Sequence, residues 1–235
     1  MTSRTTTDLD LRFGNAATAE ALAALRAAIT RPGSDGFTIR ESAAPTALAL
    51  ANTGGYAGIR VFVEASLDGT ILSRFHVDIV AGGRMRGEPV VTPFRAPIDH
   101  PDFPPVSMPA YPVIDHIADK VCALAGTYGP AGGPSSRYRD PYDLCVMRRE
   151  PNLASREVGE AITMQWLPRR LDGAPALTVP PSMRAGYEQL ARENPDTLAP
   201  RAFDDAVAAV RAFLEPALDP AAPARVWNVK NLSWE

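Results

Sequence analysis

The sequence predicts an α+β protein, with strands gathered in residues 1–107 and helices in residues 108–235. Two periodicities and one gap between them carry this expectation. Apolar residues alternate along GIRVFVEASL (58–67) and ILSRFHVDIV (71–80), as in half-buried strands. They recur at helical spacing along YPVIDHIADKVCALAG (111–126) and RAFDDAVAAVRAFLEPAL (201–218). Residues 81–110, rich in Pro and Gly and without a period, read as a long connector joining two lobes.

Taken in order, RTTTDLDLR (4–12) reads as an opening strand with Asp8 and Asp10 on one face and Leu9 and Leu11 on the other. Residues 16–31 follow as an amphipathic helix carrying Leu22, Leu25 and Ile29, stopped by Pro32, Gly33 and Gly36. FTIRE (37–41) and ALALAN (47–52) read as two short strands, and Asp68-Gly69 turns the next two into a hairpin. Pro112 suits the first position of a helix that ends at Gly126, and DPYDLCVMRR opens another, with Asp140 as its N-cap before Pro141. A helix over 201–218 buries Phe203, Val207, Val210 and Leu214, and the tail VWNVKNLSW alternates weakly.

The chain of 235 residues is 46% hydrophobic and 22% charged, ordinary for a globular protein with a real core. No apolar run approaches the roughly 18 residues that cross a bilayer, so a cytoplasmic protein with no membrane partner is expected. A net charge of −3 excludes a globally basic nucleic-acid binder, and any such contact must rest on a local patch. Cys122 and Cys145 show no metal or redox spacing and are expected as buried thiols. Of the 24 Lys and Arg residues only Lys120 and Lys230 are lysine, so Lys120 stands out.

Four features could carry chemistry. Asp8 and Asp10 repel one another on a strand face unless a cation lies between them. Mg²⁺ binds through one or two carboxylates plus phosphate oxygens, so D-x-D suits a metal-nucleotide, while the alternative is a solvated edge with Arg4 and Arg12 as ion partners. Asp78 interrupts an apolar strand and joins the same face if the two strands are neighbours. Lys120 starts from the margin of an apolar stripe formed by residues 113, 117, 121 and 124, where a compact ammonium suits a phosphate or an acid/base role. Its alternative is a snorkelling lysine paired with Asp115 or Asp119. RYRDPYDL (137–144) caps a helix and brings Arg137, Arg139, Asp140 and Asp143 to its start, able also to orient Lys120 or a nucleotide.

With these pieces in order the chain resembles the AbiEii/AbiGii-type nucleotidyltransferase toxins, the MenT-like toxin half of type IV abortive-infection, or phage-defence, systems. The matching stretches are RTTTDLDL (4–11), YAGIRV (56–61), FHVDI (75–79), YPVIDHIADKVCAL (111–124) and RYRDPYDL (137–144), covering residue 4 to about 150. The last third offers no match beyond helical character.

The resemblance implies a polymerase-β-type nucleotidyltransferase lobe followed by a helical lobe. It implies that Asp8, Asp10 and Asp78 hold Mg²⁺ or Mn²⁺, that Asp78, Lys120 and Asp140 are catalytic, and that Arg4, Thr6, Arg137, Arg139 and Asp143 contact nucleotide or RNA. Arg148 and Arg149 would add phosphate contacts. The implied reaction moves a nucleotide from an NTP to an RNA acceptor, often the tRNA 3′ end, and the implied partner is an AbiEi-type antitoxin.

One departure concerns the N-terminus. The family sets a Gly-Gly or Gly-Ser turn about ten residues before D-x-D, where backbone N–H groups cradle the triphosphate. Here seven residues precede Asp8 and none is Gly, while Gly54-Gly55 comes after it. This implies a start codon upstream of Met1 or a degenerate member without the cradle. Two other classes therefore stand beside the toxin: a catalytically dead binding protein, and a nucleotidyltransferase acting on a small molecule.

Overall fold

The computed structural model describes residues 8–14, 17–31, 36–48, 57–82, 85–94, 105–129, 131–195 and 199–235. They form a mixed sheet and six α-helices, an α+β architecture, in two compact units. One unit holds the described residues up to 82 together with 91–110, and the other holds 85–90 together with 111–235.

The first unit is a sheet with a helix on one face. Its strands are β1 (Asp8–Phe13), β2 (Phe37–Ala47), β3 (Ala57–Leu67) and β4 (Thr70–Ala81), in the order β1-β4-β3-β2. β1 runs parallel to β4, and the other neighbours are antiparallel. Asp68 and Gly69 both have positive φ (48° and 79°), which two-residue hairpin turns of matching twist require. Helix α1 (Thr18–Ile29) buries Ala21 and Leu25 against Val61, Val63, Val77 and Ile79. Alternation therefore sends every second residue of β3 and β4 into this core and the charged ones to the opposite face.

Two expectations for this unit change. FTIRE does not stop at Glu41: β2 continues to Ala47 through register shifts after Glu41 and after Ala43, which accommodate Pro45 on an edge strand. Of ALALAN, Ala47 is the last residue of β2, and residues 49–52 lie outside the described ones. The connector over 81–110 also contains structure, a two-stranded ribbon of β5 (Val90–Phe94) and β6 (Val106–Ala110).

The other unit is helical. α2 (Val113–Ala125), α3 (Arg139–Met147), α4 (Ser155–Trp166), α5 (Arg184–Glu193) and α6 (Phe203–Leu218) close around Ile117, Val121, Leu124, Tyr142, Ile162, Tyr187, Phe213 and Leu214. Two short hairpins accompany them, β7 (Thr127–Tyr128) with β8 (Gly133–Pro134), and β9 (Trp227–Asn228) with β10 (Ser233–Trp234). Trp234 stacks on Phe213 at 5.9 Å and donates its indole N–H to the Phe213 carbonyl. The Trp227 indole donates to the Arg148 carbonyl, so the weakly alternating tail is tied onto α3 and α6. Cys122 and Cys145 are buried, and burial pushes their thiols up to about 12 and about 11.

Gly159 marks the closest approach of two helices. A Cβ there would lie 2.3 Å from the carbonyl oxygen of Ala217 on α6, so α4 and α6 pack through bare backbone. Gly159→Ala is expected to cost about 1–3 kcal/mol through overpacking, outweighing the ~1 kcal/mol that Ala gains in helix propensity. A circular-dichroism melt checks this, and a variant at least as stable as the parent would contradict the close packing.

Candidate active site

Strand register assembles the first charged constellation. Asp10 lies opposite Asp78, and Asp78 lies opposite Arg60, so three charged residues form a row across β1, β4 and β3. One step along, Asp8 lies opposite His76, and His76 lies opposite Phe62. The His76 Nε2 is 3.8 Å from an Asp8 oxygen. A further row places Glu64 between Arg40 and Arg74, and these two guanidinium groups hold its carboxyl below the usual range. The hydrogen bond from Arg40, with which Glu64 also forms an ion pair, is the larger cause. All of these residues point away from α1, because Leu11, Val61, Val63, Val77 and Ile79 take the covered face.

Asp78 is more enclosed than its neighbours Asp8 and Asp10. Its side chain is 14% exposed, and both oxygens accept from the Arg60 fork, Nε to Oδ1 and Nη2 to Oδ2, each at 2.7 Å. This hydrogen bonding, with the fields of Asp78, Asp8 and Asp10, raises the Arg60 guanidinium above its already high range. Among the described residues, no group of three His, Cys, Asp or Glu side chains converges as a ready-made metal centre. The donor chemistry still fits a hard cation, since Asp8 and Asp10 supply two carboxylates at an accessible sheet edge and Mg²⁺ completes its shell with phosphate and water oxygens.

The second constellation belongs to the helical unit. Lys120 on α2 donates to Asp143 Oδ2 at 2.7 Å and to Asp140 Oδ1 at 3.2 Å. Arg137 donates through Nε to the other Asp140 oxygen at 2.6 Å. Asp140 and Asp143 are three apart on α3 and so share a face, and Asp140 is 2% exposed. Arg139 lies over the Tyr138 ring at 5.9 Å. Arg148 donates through Nε to the Cys145 carbonyl, and Arg149 is half-buried.

Several details differ from the sequence expectations. The helix of RYRDPYDL begins at Arg139, not after Asp140, and no side chain caps it. Asp140 is instead committed to Lys120 and Arg137. Pro112 is the residue before α2 rather than its first. The alternative partners of Lys120 are engaged elsewhere. Asp119 accepts from Tyr111 and Arg169, and buried Asp115 accepts the backbone N–H groups of Arg86 and Gly87 at 2.8 and 2.9 Å. Arg4, Thr6 and Gly54-Gly55 lie outside the described residues.

Arg60 is the charged residue that sequence reasoning left without a role. A hairpin counted back from Asp68-Gly69 would set residue 60 opposite Val77, on the covered face. A register shift between Ala65 and Ser66 moves the pairing by one residue and brings Arg60 opposite Asp78. The available signal was the alternation Arg60-Phe62-Glu64 against Val61-Val63.

Among the described residues no helix is long and apolar enough to cross a membrane. A search of the curated proteins finds no match. A family model described as "Nucleotidyl transferase AbiEii toxin, Type IV TA system" matches residues 1–214, reaching well beyond the stretch to about 150 where the sequence motifs were legible. With D-x-D beside a third aspartate in one unit, Lys120 held on two aspartates in the other, and this match over most of its length, the chain belongs to the AbiEii nucleotidyl transferase toxin family of type IV toxin–antitoxin systems.

Proposed function

We propose that the protein transfers a nucleotide from an NTP to the 3′-terminal hydroxyl of an RNA, with tRNA as the acceptor, using Mg²⁺ or Mn²⁺ held by Asp8 and Asp10. The observation that carries this reading is the register that sets Asp10 beside Asp78 on the sheet face opposite α1. A divalent cation at such carboxylates supplies charge neutralisation for the phosphates and an in-line geometry. Asp78 takes the proton from the attacking hydroxyl. The new bond joins that oxygen to the α-phosphorus, and the bond to the bridging oxygen breaks to release pyrophosphate.

Lys120 offsets charge on phosphate oxygens, and Asp140 and Asp143 fix its ammonium in place. Arg137 and Arg139 bind RNA phosphates, which position a substrate without reading sequence. The protein acts in the cytoplasm, where an AbiEi-type antitoxin neutralises it and where blocking the tRNA 3′ end, as a phage-defence response, arrests translation.

The acceptor is tested by offering labelled NTP with intact tRNA and with tRNA whose terminal ribose has been oxidised by periodate. Label on intact tRNA alone is the expected result. Equal labelling of both would exclude the 3′ hydroxyl, and label only in small molecules would favour the third class. A binding protein without catalysis is favoured by one feature, the occupation of both Asp78 oxygens by Arg60.

A further inference from the structure

Arg60 carries a full positive charge on the sheet face assigned to a divalent cation, and the transfer chemistry gives it no part. Its fork takes both oxygens of Asp78 at 2.7 Å, and Asp78 in turn lies beside Asp10 in the same row. The pair is partly shielded, with side chains 36% and 14% exposed, so water screens it incompletely. Each Asp78 oxygen keeps a second lone pair. A divalent ion using it would nevertheless sit within a few ångströms of the guanidinium, and two like charges at that distance repel strongly.

We propose that Arg60 is an internal counter-ion that competes with the divalent cation for Asp78. Without nucleotide the cation is held by Asp8 and Asp10 alone, and Asp78 joins the set only when the guanidinium lets go. The proposal rests on reading the carboxylate face as the metal site. A triphosphate makes the exchange feasible, because a guanidinium fork binds phosphate as it binds carboxylate and so trades one bidentate partner for another. Cation loading is thereby tied to nucleotide loading, and Arg60 acts as a positioning residue for Asp78.

The test is Mn²⁺ binding to the full chain without nucleotide, read from loss of the free-ion paramagnetic resonance signal. Arg60→Gln is expected to tighten Mn²⁺ about tenfold, and Asp78→Asn alone to weaken it, though less than Asp10→Asn does, because the guanidinium it strands still acts on Asp8 and Asp10. In the Asp78→Asn background the Arg60→Gln gain should shrink by the part that a released Asp78 carboxylate supplies, leaving only the field of the stranded guanidinium. Arg60→Lys keeps the charge without the fork and should fall between the parent and Arg60→Gln. It also replaces Arg60→Gln in the cycle if that variant fails to fold by circular dichroism.

An undiminished gain in the Asp78→Asn background would reduce Arg60 to a distant field and overturn the proposal. So would no gain in Arg60→Gln, or a loss on Asp78→Asn as deep as that on Asp10→Asn. Mn²⁺ binding unchanged in Asp8→Asn/Asp10→Asn would instead sink the metal-site reading and the proposal with it.

Discussion

Asp10→Asn is expected to lower nucleotide transfer by about a thousandfold, equivalent to ~4 kcal/mol in the barrier, while leaving the melting temperature unchanged. Asp10 sits at the accessible edge of the sheet, where a substitution costs about 0.5 kcal/mol or less. It also neighbours Asp78 and acts on Arg60, so losing its charge relieves one repulsion in the row and removes one attraction. The comparison with Asp78→Asn makes the expectation specific. That variant strands the Arg60 guanidinium in a partly shielded position and should lose stability as well as activity. Initial rates of label incorporation with paired thermal melts separate the two. An active Asp10→Asn enzyme, or one that is inactive only because it unfolds, would contradict the assignment.

Lys120→Met is expected to cost about 3 kcal/mol of stability, lowering the melting midpoint by about 6–12 °C, and to abolish transfer. The substitution keeps the volume of the side chain but leaves Asp140 and Asp143 facing one another, with side chains 3% and 15% exposed. Arg137 still holds one oxygen of Asp140, which limits the damage to the helical unit. Lys120→Arg separates the two roles. A guanidinium can pair with both carboxylates and should recover much of the stability. Transfer should stay impaired, because a planar fork does not reproduce a compact ammonium. Full activity in Lys120→Arg would leave Lys120 a structural cation only.

The sheet and its charged face were legible because β-strands repeat every two residues and the turn chemistry at Asp68-Gly69 was unambiguous. Phe75, Val77 and Ile79 could be separated from His76 and Asp78 by alternation alone. What alternation could not supply was register. The single shift at Ala65 and Ser66 decides whether Arg60 faces Asp78 or falls opposite Val77, and no local preference announces it. β2 was cut short for a related reason, since Pro45 and three alanines hide an edge strand that bulges past them.

In the helical unit, the period of α2 and α6 identified both helices and their buried faces. The start of RYRDPYDL, one of the options for orienting Lys120, does supply its partners. Asp115 and Asp119 were nearer in sequence, but Asp115 is buried beneath the backbone N–H groups of Arg86 and Gly87, and Asp119 is engaged by Tyr111 and Arg169. Helices α4 and α5 went unread because Gly159 and Gly186 interrupt them. Both glycines permit close approach rather than ending a helix: Gly159 meets the Ala217 carbonyl, and Gly186 meets the Tyr138 ring.

Metal-dependent nucleotide transfer to RNA at the carboxylate face of the sheet is the chemistry on which the other assignments depend. Its most direct measurement is label incorporation into total tRNA from each of the NTPs, with Mg²⁺ and with chelator, by the parent and by Asp10→Asn. Label from at least one NTP is expected, requiring Mg²⁺ and disappearing in Asp10→Asn. Label that survives either the chelator or the substitution, or no label from any NTP while tRNA binding is unaffected by Asp10→Asn, would contradict it.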